Sequence, residues 1–265
     1  MRDFPSNELD QAVDPFLLLD YAGPQAFEPT DHPRGVGEHP HRGFETVTIM
    51  YQGAVAHRDS SGNAGVIGPG DVQWMTAASG VVHEELHEAD WATKGGIFQA
   101  IQLWVNLPRS QKMSVPRYQT ILKAQIPTVE IAGGAGRLRV IAGAFRGYKG
   151  PARTVTPIEL YDLELVAGGR AEVVLSDGHN TSLFIVRGLV SANSSNDAGE
   201  AELIVCKRAG ASVVIEARED SRLLILSGQP IKEPIARYGP FVMNSKIELV
   251  QALEDYKAGK MGHLS

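Results

Sequence analysis

The 265-residue sequence predicts an all-β protein of two similar domains, with one helix near its C-terminus. Three observations carry that prediction. Short runs rich in Val, Ile, Leu and aromatic residues recur along the chain at the spacing of a sandwich or barrel. Gly 28 and Pro 15 are dispersed between those runs, which marks turns and not a disordered tract. The pattern also repeats. "TVTIMYQGAV" (46–55) resembles "SLFIVRGLV" (182–190), each with Gly after the apolar run, and "IQLWVNLP" (101–108) ends as "LLILSGQP" (223–230) does.

Taken in order, strands are expected at 46–55, 71–77, 98–107, 138–143, 158–168, 171–176, 182–190, 201–207, 211–217 and 222–228. Each is rich in β-branched, aliphatic or aromatic residues. Turn chemistry separates them: "SSGN" (60–63), "GPGD" (68–71), "AGG" (167–169) and "SDG" (176–178). Pro69-Gly70 suits the central pair of a type II turn, with glycine at the positive φ. The stretch 107–127, polar and proline-containing, reads as a connector. It sets a boundary near 131 and three segments: 1–131, 132–230 and a tail, 231–265. The tail holds "NSKIELVQALEDYKAGK" (244–260), a helix with Ser245 as N-cap and Glu248 as its capping-box partner. Leu249, Leu253 and Tyr256 form its apolar stripe and Gly259 its stop.

Composition narrows the function classes. A net charge of -6 disfavours the phosphate backbone, so no direct nucleic-acid role is expected. No apolar run reaches 18 residues, so no membrane span is expected. "MRDFPSNELD" lacks the apolar core of a signal peptide. The single cysteine, Cys206, reads as a small core residue, and a reducing, cytoplasmic location is the expectation.

The histidines carry the chemistry. In "GEHPHRGFETVTI" (37–49), His39 and His41 project together if the chain is extended, and Pro40 fits a strand start or edge. In "GVVHEELHEADW" (80–91), His83 and Glu85 again share a face, with Glu84 on the other. Two such pairs on neighbouring strands can converge on one ion, since imidazole suits Fe, Ni, Cu, Zn or Mn and a carboxylate adds charge. Ordinary hydrogen-bonded histidine is the competing reading, and it is the default for His32, His87, His179 and His263. His57 suits a turn or a place behind a ligand.

The block "HPHRGFETVTIMYQGAVAHRDSSGNAGVIGPGDVQWMTAASGVVHEE" (39–85) resembles the signature of the pirin family, within the cupin superfamily. "QLWVNLP" (102–108) and "EPIARYGPFVMN" (233–244) match the family's later landmarks, so the resemblance runs from about Asp14 to Gly262. It implies a bicupin: two tandem β-barrel (jelly-roll) domains, with one mononuclear metal in the N-terminal barrel. It implies His39, His41, His83 and Glu85 as the ligands. Cupins in general take the carboxylate shortly after the first two histidines, and Glu45 fits that spacing. Glu45 is therefore an alternative ligand, or a group that orients a ligand histidine. Aligning Gly53 with Gly188 sets Val174 and Ser176 opposite His39 and His41, so the second barrel is expected to be metal-free.

Three histidines and a glutamate leave positions open on a six-coordinate ion, which points to a reactive centre with iron(II) first and Mn, Co, Ni, Cu or Zn compatible. The resemblance implies quercetin 2,3-dioxygenase activity, with a flavonol and O2 as partners. Glu85 then also accepts the flavonol hydroxyl proton. Phe44 and Met75, close to the ligands in sequence, are expected in an apolar substrate pocket; Trp74 and Trp104 are expected in the core. The resemblance also implies an alternative: a metal-binding, redox-sensing regulator of a transcription factor or metabolic enzyme. The sequence identifies no surface for such a protein partner. A third reading is isomerase or other cupin chemistry on a small molecule.

Overall fold

A computed structural model describes residues 7–264. The chain separates into two compact units. One comprises Phe16–Lys123 with the chain from Ile231; the other comprises Ala124–Pro230 with the segment that ends at Pro15.

The first unit contains β1 (Phe16–Phe27), β2 (Gly35–His41), β3 (Phe44–Gln52), β4 (Val55–Asp59), β5 (Ala64–Ile67), β6 (Val72–Thr76), β7 (Val81–His87), β8 (Gly96–Asn106) and β9 (Arg117–Ile121). One antiparallel sheet has the order β1-β8-β3-β6-β9 and the other β2-β7-β4-β5. β3 is central, with Thr48 opposite both Gln73 and Gln102, and all of Phe44–Tyr51 is buried. Its two faces differ, because strand side chains alternate. Phe44, Thr46 and Thr48 share one face, which carries Gln73 and Met75 of β6, Gln102 and Trp104 of β8, and Tyr118 of β9 by register. Glu45, Val47 and Ile49 lie on the other.

The "GPGD" turn forms as expected. The Asp71 N–H donates to the Gly68 carbonyl at 2.9 Å, and Gly70 has φ +91. The stretch 107–127 is more than a connector, because Arg117–Ile121 joins β6 as the sheet's edge strand. Edge strands tolerate polar residues on their outer face, which is why "RYQTI" carries a weak strand signal.

The tail returns to the first unit. Phe241, Met243, Leu249, Ala252 and Met261 pack around Val82, beside His83. The helix spans Lys246–Lys257. The Ser245 hydroxyl accepts the Glu248 N–H at 3.3 Å, and Glu248 Oε2 accepts the Asn244 N–H at 3.0 Å. Leu249 and Ala252 face inward with Leu253 packed beside them, while Tyr256 is 36% exposed, so the buried stripe is shorter than expected.

The second unit has a six-stranded sheet in the order 128–131, 136–142, 158–165, 221–228, 180–187, 203–205. Its four-stranded sheet has the order 170–174, 212–217, 190–192, 197–198. Leu138, Tyr161, Leu163, Leu183, Ile185, Val213, Ile215, Leu223 and Ile225 form its core at two-residue spacing, with Cys206 partly buried against them. The unit starts before 132 because Thr128–Ile131 pairs with Gly136–Arg139. The repeat seen in the sequence has a backbone counterpart: Gly53 and Gly188 both follow a strand flanked on both sides in its sheet, each with φ +85. Each unit is thus a barrel of two antiparallel sheets. Among the described residues, no helix is long and apolar enough to cross a membrane.

Candidate metal centre

β2 and β7 set His39 directly opposite His83 and His41 opposite Val81. β4 lies on the far edge of β7, with Asp59 opposite His83 and His57 opposite Glu85. Opposed residues share a face, as do residues two apart. His39, His41, His83, Glu85, His57 and Asp59 therefore belong to one face of this sheet. Glu84 points the other way and pairs with Arg58.

The three histidines converge. One ring nitrogen from each lies within 4.8 Å of the others. His39 Nδ1 is 2.7 Å from the Gly37 carbonyl, and His41 Nδ1 is 3.4 Å from the Pro240 carbonyl. A carbonyl only accepts, so each Nδ1 carries the proton and each Nε2 presents its lone pair. Those two Nε2 atoms stand 3.1 Å apart. Facing lone pairs repel at that distance, and a cation between them removes the repulsion. His83 Nε2 is buried and, among the described residues, has no hydrogen-bond partner. Burial, then His39, lowers the His41 pKa to about 3. Burial, then the neighbouring histidines, holds His83 well below its ordinary value. Neutral imidazoles are the form that binds metals, and this set fits a single divalent ion.

Glu85 does not join the three rings. Its Oε1 accepts from the Thr48 hydroxyl at 3.0 Å and from Gln73 Nε2 at 2.7 Å, and its Oε2 accepts from Gln102 Nε2 at 2.7 Å. A carboxylate has about four acceptor positions, so one remains, on Oε2. Glu45 is not brought to the cluster either. It lies on the face of β3 opposite to Thr48, and its Oε1 accepts from the Thr76 hydroxyl at 2.7 Å. His57 stands behind His83, with the two Nδ1 atoms 3.4 Å apart.

A cavity of about 190 Å³ adjoins Glu85. Its walls include Thr48 and Gln102 together with Val36, Val55, Leu86, Phe98 and His87. Phe44 and Met75 are not among its walls. Phe44 packs against the His41 and Trp104 rings, with centroids 5.0 and 4.2 Å away, and Met75 packs with Ala77, Val81 and Tyr118. The substrate pocket was the expected place for both, but they pack behind the histidines and do not line the opening beside Glu85. His87, expected to be ordinary, is a cavity wall stacked on Phe98 at 4.7 Å. Thr48, Gln73 and Gln102 escape sequence reading because each is an unremarked polar residue in a different strand.

Two tandem antiparallel barrels, with a convergent histidine triad in the first, define a bicupin with a centre suited to a divalent metal. Residues 1–105 match the Pirin family and residues 160–262 the Pirin C-terminal cupin domain, and the chain belongs to the pirin family. A Pseudomonas aeruginosa protein named "Putative quercetin 2,3-dioxygenase" is 51% identical over 257 residues, covering 97% of this chain and 90% of its own. A pirin-like protein of Caulobacter vibrioides is 42% identical, covering 94% and 88%. The crystal structure of quercetin 2,3-dioxygenase from Acinetobacter baumannii superposes with TM-score 0.94 at 46% identity, covering 98% of this chain and 90% of that one.

Proposed function

We propose that the protein is a metal-dependent dioxygenase that cleaves flavonols such as quercetin, with His39, His41 and His83 holding one iron(II) ion. The observation that supports this most is the triad itself, three imidazoles converging on one point, with a cavity of mixed polar and apolar walls at Glu85, two residues on from His83. The names and structures of close relatives point the same way. Val36, Leu86 and Phe98 offer apolar surface to a flat aromatic substrate. Thr48, Gln73 and Gln102 orient the Glu85 carboxylate. Its remaining acceptor position on Oε2 serves as the fourth ligand bond or takes the proton of the flavonol hydroxyl. A bound divalent ion supplies a Lewis-acid centre that acidifies that hydroxyl and an open position for O2.

The test is O2 uptake with quercetin by the iron(II)-loaded protein, beside His41→Ala under the same conditions. Uptake proportional to quercetin, lost in the variant along with most of the bound metal while the fold persists, is the expected result. Metal bound with no uptake rejects the activity. Full metal occupancy in His41→Ala rejects the ligand set.

A further inference from the structure

We infer that Asp59, acting through His57, is the positioning residue that fixes the proton of His83 on Nδ1 and leaves Nε2 bare for a metal ion. The inference rests on the metal-centre reading proposed above and adds two residues to it.

His39 and His41 have their Nδ1 protons held by backbone carbonyls. Among the described residues no carbonyl plays that part for His83; its Nδ1 faces His57 Nδ1 at 3.4 Å. Two ring nitrogens in contact form a hydrogen bond only if one donates and the other accepts. The other side of His57 settles which. Its Nε2 is 3.2 Å from Asp59 Oδ2, and a carboxylate only accepts, so Nε2 carries the His57 proton. With its proton on Nε2, His57 offers Nδ1 as the acceptor, and His83 Nδ1 donates to it. That leaves His83 Nε2, the buried atom without a partner, as a free lone pair aimed into the triad.

Asp59 is itself built in. Its Oδ1 accepts the N–H groups of Ser61 and Asn63 at 2.9 and 3.0 Å, and the Asn63 side-chain amide reaches both of its oxygens at 3.1 and 3.0 Å. The "SSGN" turn therefore clamps the carboxylate as well as joining two strands. The His57 and Asp59 side chains are 0% and 1% exposed. Tyr118 stacks on the His57 ring at 4.5 Å with planes 10° apart, so the ring cannot tilt away. Burial raises the Asp59 pKa, yet the bonds from His57 and Asn63 outweigh it and hold the carboxyl below its usual range. Groups behind a ligand histidine fix its tautomer, and losing one weakens metal binding about 10–100-fold.

Asp59→Asn tests the relay. The backbone donors of Ser61 and Asn63 keep the carbonyl oxygen at the Oδ1 position, where the Asn63 amide also donates once it gives up its contact at Oδ2, so the variant's amide NH2 faces His57. His57 Nε2 must then accept, its proton moves to Nδ1, and His83 is pushed to the Nε2–H form that cannot bind a metal. Ring 1H–15N correlation spectra of the metal-free protein read the tautomer directly, and cobalt(II) titration reads affinity. The expected result is His83 protonated at Nδ1 in the wild type and at Nε2 in Asp59→Asn, with cobalt(II) bound about 10–100-fold more weakly. If that variant does not fold, His57→Phe keeps a ring on Tyr118, removes the acceptor, and is expected to weaken cobalt(II) binding likewise. His83 protonated at Nε2 in the wild type overturns the inference, as does a folded variant with unchanged cobalt(II) affinity. Wild type that binds no cobalt(II) overturns this and the metal-centre reading together. Wild type that binds cobalt(II) with the expected tautomers, while the iron form consumes no O2, supports the relay and overturns only the dioxygenase.

Discussion

Replacing Glu45 with glutamine is expected to make the protein relatively more stable as pH rises. Glu45 is fully buried in β3. Its Oε1 accepts from the Thr76 hydroxyl at 2.7 Å. Burial, only partly offset by the Thr76 and Trp74 bonds and the charge of Arg117, raises its pKa from 4.5 to about 7. The sign follows from proton counts. Between those values the folded chain holds the proton and the unfolded chain does not. The stabilising contribution is therefore fully present below pH 4.5 and is lost as pH rises through about 7. At about 1.4 kcal/mol per pKa unit, the loss comes to about 3 kcal/mol. Glutamine does not titrate and keeps an oxygen for Thr76. The stability of Glu45→Gln minus that of the wild type should rise by about 3 kcal/mol between mildly acid and mildly alkaline pH. Urea unfolding of both metal-free proteins at about pH 5 and about pH 8 measures it. A difference that stays flat between the two pH values refutes the reasoning.

Two further outcomes follow from groups the sequence reading passed over. Lys112 is buried and donates to the Gly43 and Val242 carbonyls and to Asn106 Oδ1, at 2.7, 3.0 and 2.7 Å. Lys112→Met strands those acceptors beside the β2–β3 junction, and should cost about 3 kcal/mol in thermal or urea unfolding; an unchanged midpoint refutes that. Asp255 accepts from Lys260, Arg42 and Gln251, and the Lys260 and Arg42 bonds hold its carboxyl well below the usual range. Its contribution is present above the unfolded pKa and lost as pH falls, so Asp255→Asn should be less stable at neutral pH and show a shallower acid loss. Parallel acid-unfolding curves refute it.

The clustering of His39, His41 and His83 is partly legible in the sequence because a strand's two-residue period is a local rule. It puts His39 beside His41 and His83 beside Glu85 wherever the strands lie. Glu45 shows the limit of spacing. Between His41 and Glu45 the chain leaves β2 and enters β3 through Gly43, at φ +91, and a count of residues across that turn says nothing of the face reached. Glu45 lands on the side of β3 away from Thr48, hence away from the cavity. Strand register likewise decides what Glu85 does, because its donors Thr48, Gln73 and Gln102 come from β3, β6 and β8. The tail's return to Val82 depends on contacts more than a hundred residues apart in sequence, which no local pattern encodes.

The second unit supplies an internal comparison for the histidine cluster. Near Ser176, the residue aligned with His41, Glu159 also sits buried among polar neighbours. There the bonds close. Ser176 donates its hydroxyl and its N–H to the two Glu159 oxygens at 3.0 and 3.1 Å, and the Ser227 hydroxyl donates to Oε2 at 3.1 Å. That is how a buried polar group settles when its role is structural. The first unit does the reverse. It spends backbone carbonyls and a His57–Asp59 pair on the outer nitrogens, yet leaves the inner ones bare, with two of them 3.1 Å apart. An unpartnered buried polar atom such as His83 Nε2 costs about 1–3 kcal/mol, and three ring nitrogens converging on one spot make a poor core but a prepared ligand set. Structural histidines would have turned their free nitrogens toward donors, as Glu159 turns its oxygens toward two serines. The arrangement is therefore one that fits a divalent cation better than it fits a structural core.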